Sequence, residues 1–342
     1  MKRKQIILES VSVTGYAAEG KALARIDGKV IFIEGAVPGD VVDLLLTRNK
    51  KDWAEGKVVK IKEFSKDRVT PFCVHFGICG GCKWQMLPYG KQLEYKEQEV
   101  RDVFQRIGKL KNITVSPILG SEKTIHYRNK LEFTFSNKKY LTENELEDLG
   151  EDQWPGGALG YHVPRLYDKI IEIKECWLMD DVNNRIRNGI REFAQKNNYS
   201  YYDIKEHSGF LRNIIIRNCT TGELMVNLVF GNEDKDKREA ICNYLLQIVP
   251  EISTLIYTIN PKWNDSLNDL TPQTFYGKGY VIEKLADFNF KISSKSFFQT
   301  NTKQAEVLYN VAKDFADLTG NEVVYDLYCG TGSIGIFLSR NA

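Results

Sequence analysis

No stretch of this 342-residue chain approaches the roughly 20 consecutive apolar residues needed to cross a bilayer. The start, MKRKQIILES, is basic, but its apolar part is three residues long, too short for a secretory signal. An excess of one charge is lacking too: 47 Lys and Arg against 45 Asp and Glu leave a net +2. Bulk electrostatics therefore argue only weakly for a nucleic-acid partner. Low-complexity tracts and internal repeats are missing, and the composition (42% apolar, 27% charged, 11% aromatic) is that of an ordinary globular protein. The length exceeds a single small core, so two or three domains are expected. The chain reads as cytoplasmic and monomeric, with no membrane partner. In that compartment thiols stay reduced, and clustered cysteines more often hold metal than form disulfides.

Local charge is more informative. The first 62 residues carry 12 Lys and Arg against 8 Asp and Glu, with a knot at RNKKDWAEGKVVKIK; a solvated loop is the plain explanation of such a run. Residues 6 to 62 read as five short strands, ILESVSVT, KALARI, KVIFIE, DVVDLLLT and AEGKVVKI. Asp27-Gly28 marks a type I′ hairpin and VPGD another turn. Five strands in about 60 residues with basic loops suit a small OB-like barrel that binds oligonucleotides. PYGKQLEYKEQEVRDVFQRIGKL is the clearest helix, with Leu93, Val100, Val103, Phe104 and Ile107 on one face and Gly108 closing it. Residues 125 to 290 are mostly strand-like and largely antiparallel, with helices near 180 to 197 and 234 to 248, an α+β pattern. The acidic stretch 141 to 156 is expected to be an exposed excursion. From about 291 a capped helix is followed by NEVVYDLYCGTGSIGIFLSR, predicted as strand, glycine loop and helix, the opening of a doubly wound domain. One such unit cannot bury both faces of a parallel sheet, so the chain is expected to stop inside that domain. The fold class is thus α+β and multidomain, divided as 1–63, 64–290 and 291–342.

Four constellations carry chemistry. FCVHFGICGGC has the spacing C-x5-C-x2-C at Cys73, Cys79 and Cys82, with Cys176 in IKECWLMD as the fourth candidate. Four thiolates suit zinc or an iron–sulfur cluster, and Gly77, Gly80 and Gly81 allow the tight turns a cluster needs. Three clustered cysteines with one remote suit a cubane better than zinc; cysteines without a metal are the plain alternative. In VVYDLYCGTGSIG, Gly330, Gly332 and Gly335 form a GxGxxG that fits a dinucleotide or S-adenosylmethionine. Asp326 at the strand end favours the second, because a carboxylate suits an ammonium group and not a pyrophosphate. Cys329 in this loop is expected to pack as a small apolar side chain. In SFFQTN, Gln299 and Asn301 open the next helix, where a plain cap is the simplest role. In HYRNKLEF, Arg128 and Lys130 face phosphate, a base, or only solvent.

In this order, these pieces resemble the uracil-5 RNA methyltransferases, in the branch with an N-terminal TRAM domain and an iron–sulfur cluster, whose best-known members methylate 23S ribosomal RNA. The resemblance covers essentially the whole chain. It implies a TRAM barrel over residues 6 to 62 and a four-iron, four-sulfur cluster on Cys73, Cys79, Cys82 and Cys176. It implies that 93 to 124 pack with the catalytic domain. It also implies S-adenosylmethionine contacts from Gln299, Tyr328 and Ser333, beside Asp326, Gly330 and Gly332, and RNA contact through Arg128. In that chemistry a cysteine thiolate adds to uracil C6, C5 takes the methyl group, a base removes the C5 proton and the thiolate leaves, with the target unstacked into a pocket. The nucleophile, the DPPR-type loop and the general base are expected beyond Ala342, so this stretch is expected to bind RNA without transferring methyl. Alternatives are a tRNA uracil-5 methyltransferase, an iron–sulfur RNA-binding module without catalysis, a radical methylthiotransferase, whose C-x3-C-x2-C motif and opposite domain order disfavour it, and an NAD-dependent oxidoreductase.

Overall fold

Alternating small and apolar residues in the first 63 positions build strands β1 (Ile7–Ser12), β2 (Gly15–Tyr16), β3 (Ala22–Ile26), β4 (Lys29–Glu34), β5 (Val41–Asn49) and β6 (Trp53–Glu63). The computed structural model describes residues 6–148 and 156–342. Residues 1–5 of the basic start and residues 149–155 of the acidic excursion lie outside the described residues. The six strands form one sheet in the order β1-β5-β6-β4-β3-β2, with β4 and β6 parallel. The two-residue β2 was not foreseen, being too short for any alternation to show. Asp27 and Gly28 both take positive φ, 49° and 80°, as the type I′ turn requires. Val11, Ala22, Ala24, Ile31, Val42 and Leu44 bury one face.

The chain divides into two units, 1–122 and 123–342; the three-part division above was one of composition. In the first unit, Trp84, Met86 and Leu87, just past the cysteine loop, pack with Val37 and Tyr16, and the Trp84 indole N–H donates to the Gly20 carbonyl at 3.2 Å. Helix α1 (Tyr89–Asp102) follows and runs into one π-helical turn, Val103–Ile107, that Gly108 closes. Its foreseen apolar face is largely exposed within this unit, at Val100, Val103, Phe104 and Ile107.

The second unit is a seven-stranded sheet in the order β13-β12-β11-β10-β7-β8-β9, where β7 is Lys130–Ser136, β8 Ala158–Val163, β9 Leu166–Glu172, β10 Leu211–Asn218, β11 Leu224–Phe230, β12 Ile252–Ile259 and β13 Gln273–Gly277. Helix α2 (Glu143–Asp148) precedes β8, while α3 (Val182–Lys196) and α4 (Lys235–Ile248) interrupt the strands where the sequence predicts helices. Only β11–β12 is parallel, and α4 is its crossover. Leu131, Phe133 and Phe135 turn to one face of β7. There the Arg187 guanidinium of α3 lies 4.9 Å from the Phe133 ring, and Phe193 of α3 stacks on Tyr244 of α4 at 4.6 Å. A hairpin, β14 (Val281–Leu285) and β15 (Phe288–Ile292), packs with α5 (Thr302–Ala316) and α6 (Ser333–Leu338) around Met225, Phe298 and Tyr309.

Candidate functional site

The glycine loop corrects one expectation. Residues 322–328 are not a strand: Val323, Tyr325 and Leu327 are exposed, Tyr328 fully so. A strand of a parallel sheet needs a hydrogen-bonded neighbour and cover on both faces, and among the described residues nothing pairs with this one. The loop itself is built. Tyr328, Gly330 and Gly332 have positive φ (63°, 58°, 69°), and Gly332 caps α6. The Asp326 carboxylate accepts the Gly335 backbone N–H at 3.0 Å, and a Cβ at Gly335 would fall 2.9 Å from that same oxygen. That contact explains the third glycine. Ser333 Oγ lies 2.8 Å from the Tyr309 hydroxyl. Cys329 is exposed, not packed as expected; with no strand beneath it, the loop has no apolar floor to receive the thiol.

The SFFQTN segment is tied to the first strand of the large sheet by a residue that sequence reasoning passed over. Asn129 is buried; its side-chain amide donates to the Gln299 carbonyl and to Thr302 Oγ1, both at 2.8 Å. Its backbone N–H donates to the Thr300 carbonyl at 2.7 Å, and its carbonyl accepts from Asn218. Arg128, Lys130 and Gln299 are thereby brought to one place. An asparagine between two basic residues at a strand entry was the available signal. Asn301 is the helix cap, accepting the Gln304 N–H at 3.1 Å. Phe298 is core, while Phe297 is 69% exposed. Arg128 Nε donates weakly to the Lys130 carbonyl at 3.4 Å. Burial lowers the Lys130 pKa; Glu132 opposes the shift, and Arg217 and Arg128 add to it.

The cysteines fall in both units. Cys73, Cys79 and Cys82 lie in the first unit, in a loop held by Cys73 N–H to Gln85 Oε1 (3.2 Å), Gly81 N–H to Cys79 Sγ (3.3 Å) and Cys79 N–H to the His75 carbonyl (3.1 Å). Cys176 belongs to the second unit. Among the described residues no three His, Cys, Asp or Glu side chains are gathered as a metal-binding group; the donors fit a cluster by type and spacing. Thiolates repel one another, and their convergence is coupled to the cation that neutralises them. The Cys176 loop has its own frame. Its N–H donates to Asn184 Oδ1 (2.9 Å), and Asn183 Nδ2 donates to its carbonyl (3.3 Å). Arg187 binds the Ile173 and Lys174 carbonyls behind it (2.8 and 2.6 Å). Cys219 and Cys242 are buried, which pushes both thiols up to about 12 and leaves neither a nucleophile at neutral pH.

No family model matches the chain. A Bacteroides thetaiotaomicron protein named an uncharacterized RNA methyltransferase is 50% identical over 331 residues, covering 95% of this chain and 72% of its own. A Porphyromonas gingivalis protein of the same name is 44% identical, covering 97% and 72%. Among solved structures, the Pyrococcus abyssi tRNA (uracil-54, C5)-methyltransferase in complex with S-adenosyl-L-homocysteine superposes with a TM-score of 0.68 at 25% identity, over 97% of this chain and 71% of that one. With half its residues shared across nearly its whole length, the chain belongs to the RNA methyltransferase family.

Proposed function

We propose that the protein methylates C5 of a uridine in 23S ribosomal RNA with S-adenosylmethionine as donor. The observation that supports C5 methylation is the likeness over 97% of the chain to a uracil-C5 enzyme holding S-adenosyl-L-homocysteine, with the SFFQTN segment anchored beside Arg128 and Lys130; the 23S substrate rests on the family resemblance of the sequence alone. S-adenosylmethionine supplies an electrophilic methyl group. Gln299, Tyr328, Ser333, Gly330 and Gly332 are proposed to cradle it, and Asp326, one of whose oxygens holds α6, to meet its ammonium group. Transfer RNA is the second reading, favoured by the substrate in the neighbour's title.

The first sheet is proposed to act as the TRAM domain, an RNA-binding barrel. Supporting this, Lys50, Lys51, Lys57 and Lys60 are exposed on and around β5 and β6, and the Arg48 guanidinium sits 5.8 Å from the Trp53 ring. Disrupting the gene in its native host is expected to abolish one 5-methyluridine in 23S RNA, read by mass spectrometry of nuclease digests. Complementation with Lys57→Glu and Lys60→Glu together is expected to restore only part of it. Loss from transfer RNA instead would move the substrate, and unchanged methylation of both would overturn the proposal.

The iron–sulfur cluster is proposed from the cysteine spacing alone. Protein purified without oxygen is expected to be brown, with iron and acid-labile sulfide in the four-to-four ratio of a cubane. One zinc per chain and no colour would refute it.

A further inference from the structure

Resting on the RNA methyltransferase reading, we propose that Arg217, Lys130 and Arg128 form a seat for one phosphate of the RNA backbone, next to the SFFQTN segment. Strands β7 and β10 are antiparallel, and Arg217 stands directly opposite Lys130, so both side chains leave the same face of the sheet. Arg128 is two residues before Lys130 and bonds to its carbonyl. Arg217 is only 2% exposed. Its Nη2 donates to the Ser296 carbonyl at 3.2 Å, and its Nη1 is buried with no hydrogen-bond partner. None of the three cations is in an ion pair among the described residues. Glu283 acts on Arg217 through space but is not in contact with it; its Oε1 is committed to the Thr220 N–H and hydroxyl and to the Lys284 N–H, and its Oε2 is buried without a hydrogen-bond partner.

A buried guanidinium with no carboxylate in contact is costly even with Glu283 acting on it from a distance, and like charges on the facing strand add to the cost. Burial indeed lowers the Arg217 pKa. An anion over the half-buried Lys130 and Arg128 relieves this; the two would touch the phosphate, with Arg217 beneath as a positioning residue whose charge acts in a low-dielectric setting. Because Arg217 holds the carbonyl of Ser296, the residue before exposed Phe297, the seat fixes a nucleotide close to the cofactor-binding segment.

The test measures binding of a single-stranded, uridine-containing RNA oligonucleotide against salt. Arg217→Met is expected to weaken binding roughly tenfold at low salt, with Arg217→Lys recovering part of it and circular dichroism unchanged. Lys130→Met is expected to flatten the slope of log K against log salt by roughly 0.7. Wild-type affinity in Arg217→Met would overturn the seat and leave Arg217 as a partner of Glu283. Unchanged RNA binding with loss of S-adenosylmethionine binding would also overturn it, assigning the anion site to the cofactor's carboxylate. If Arg217→Met does not fold, Lys130→Met decides alone, and an unchanged slope refutes the proposal. Wild-type protein without salt-dependent RNA binding would instead count against the RNA reading itself.

Discussion

Replacing Arg187 with alanine is expected to destabilise the second unit by about 4 kcal/mol or more. The side chain is fully buried and spends its donors on two kinds of acceptor. Nε and Nη2 reach the Ile173 and Lys174 carbonyls, and Nη1 and Nη2 reach the Asn183 and Asn184 side-chain oxygens at 3.0 and 2.9 Å. Alanine would strand the Ile173 carbonyl and Asn183 Oδ1 in the interior, at about 1–3 kcal/mol for each one left unsatisfied, while the Lys174 carbonyl keeps Asn188 Nδ2 and Asn184 Oδ1 keeps the Cys176 N–H. Burial has already lowered the guanidinium pKa to about 10, with Cys176 acting in the opposite direction, so the group is still charged at neutral pH. Lysine is not expected to rescue it, because one ammonium cannot reproduce the planar fork. Equilibrium urea unfolding measures the change. A loss below about 1 kcal/mol would mean that the loop carrying Cys176 is held by its asparagines alone.

The second large effect is expected at Asp40, in the VPGD turn. Its carboxylate is fully buried and takes the Val37 and Ser65 backbone N–H groups at 2.7 and 2.8 Å and Arg68 Nη2 at 2.7 Å. Asp40→Ala leaves the Arg68 guanidinium without its counter-ion, holding only the Gly35 carbonyl, and two amides unpaired inside the first unit, a loss of about 3–5 kcal/mol. Burial alone would raise the Asp40 pKa, but Arg68 and the two amides outweigh it and hold the group below the usual carboxylate range. The sign follows from linkage. The folded pKa is depressed, so the stabilisation is present above the unfolded value near ~3.9 and disappears as pH falls through the folded value. Asp40→Asn should therefore lower the thermal midpoint at neutral pH and remove part of the acid sensitivity below pH ~4. Hydrogen exchange should place the change within residues 1–122; a wild-type acid profile in Asp40→Asn would refute the assignment.

These two residues show where sequence reading stopped. Asp40 was visible only as a turn residue, because nothing local announces that Arg68 comes back to it from 28 positions away. Arg187 lay in a stretch read only as a helix near 180 to 197. Strands and helices, by contrast, were legible wherever a period was long enough to count: β10 and β11 as apolar runs, α3 and α4 as helices, Asp27-Gly28 as a turn with its own backbone demand. The strand before the glycine loop was misread for an opposite reason. VVY has the composition of a strand, yet strand identity is a property of a pair, and no partner is present among the described residues. The candidate site was half legible. Gln299, Ser333 and Asp326 follow from motif and resemblance, whereas Asn129 and Arg217 acquire meaning only once β7, β10 and the SFFQTN segment lie side by side.

Asn129 also sets a clock. Its side-chain NH2 donates to Gln299 and Thr302, residues 170 and 173 positions later. On a ribosome adding about 5–20 residues per second, roughly 10 to 30 s separate their synthesis. Throughout that interval the side-chain NH2 at the entry of β7, a central strand of the sheet, lacks these partners, while β8 to β13 emerge and add to it. Contacts this distant close late and slow folding. The strand that carries Lys130 is thus among the first parts of the unit to be made, and its end beside the SFFQTN segment is among the last to be locked.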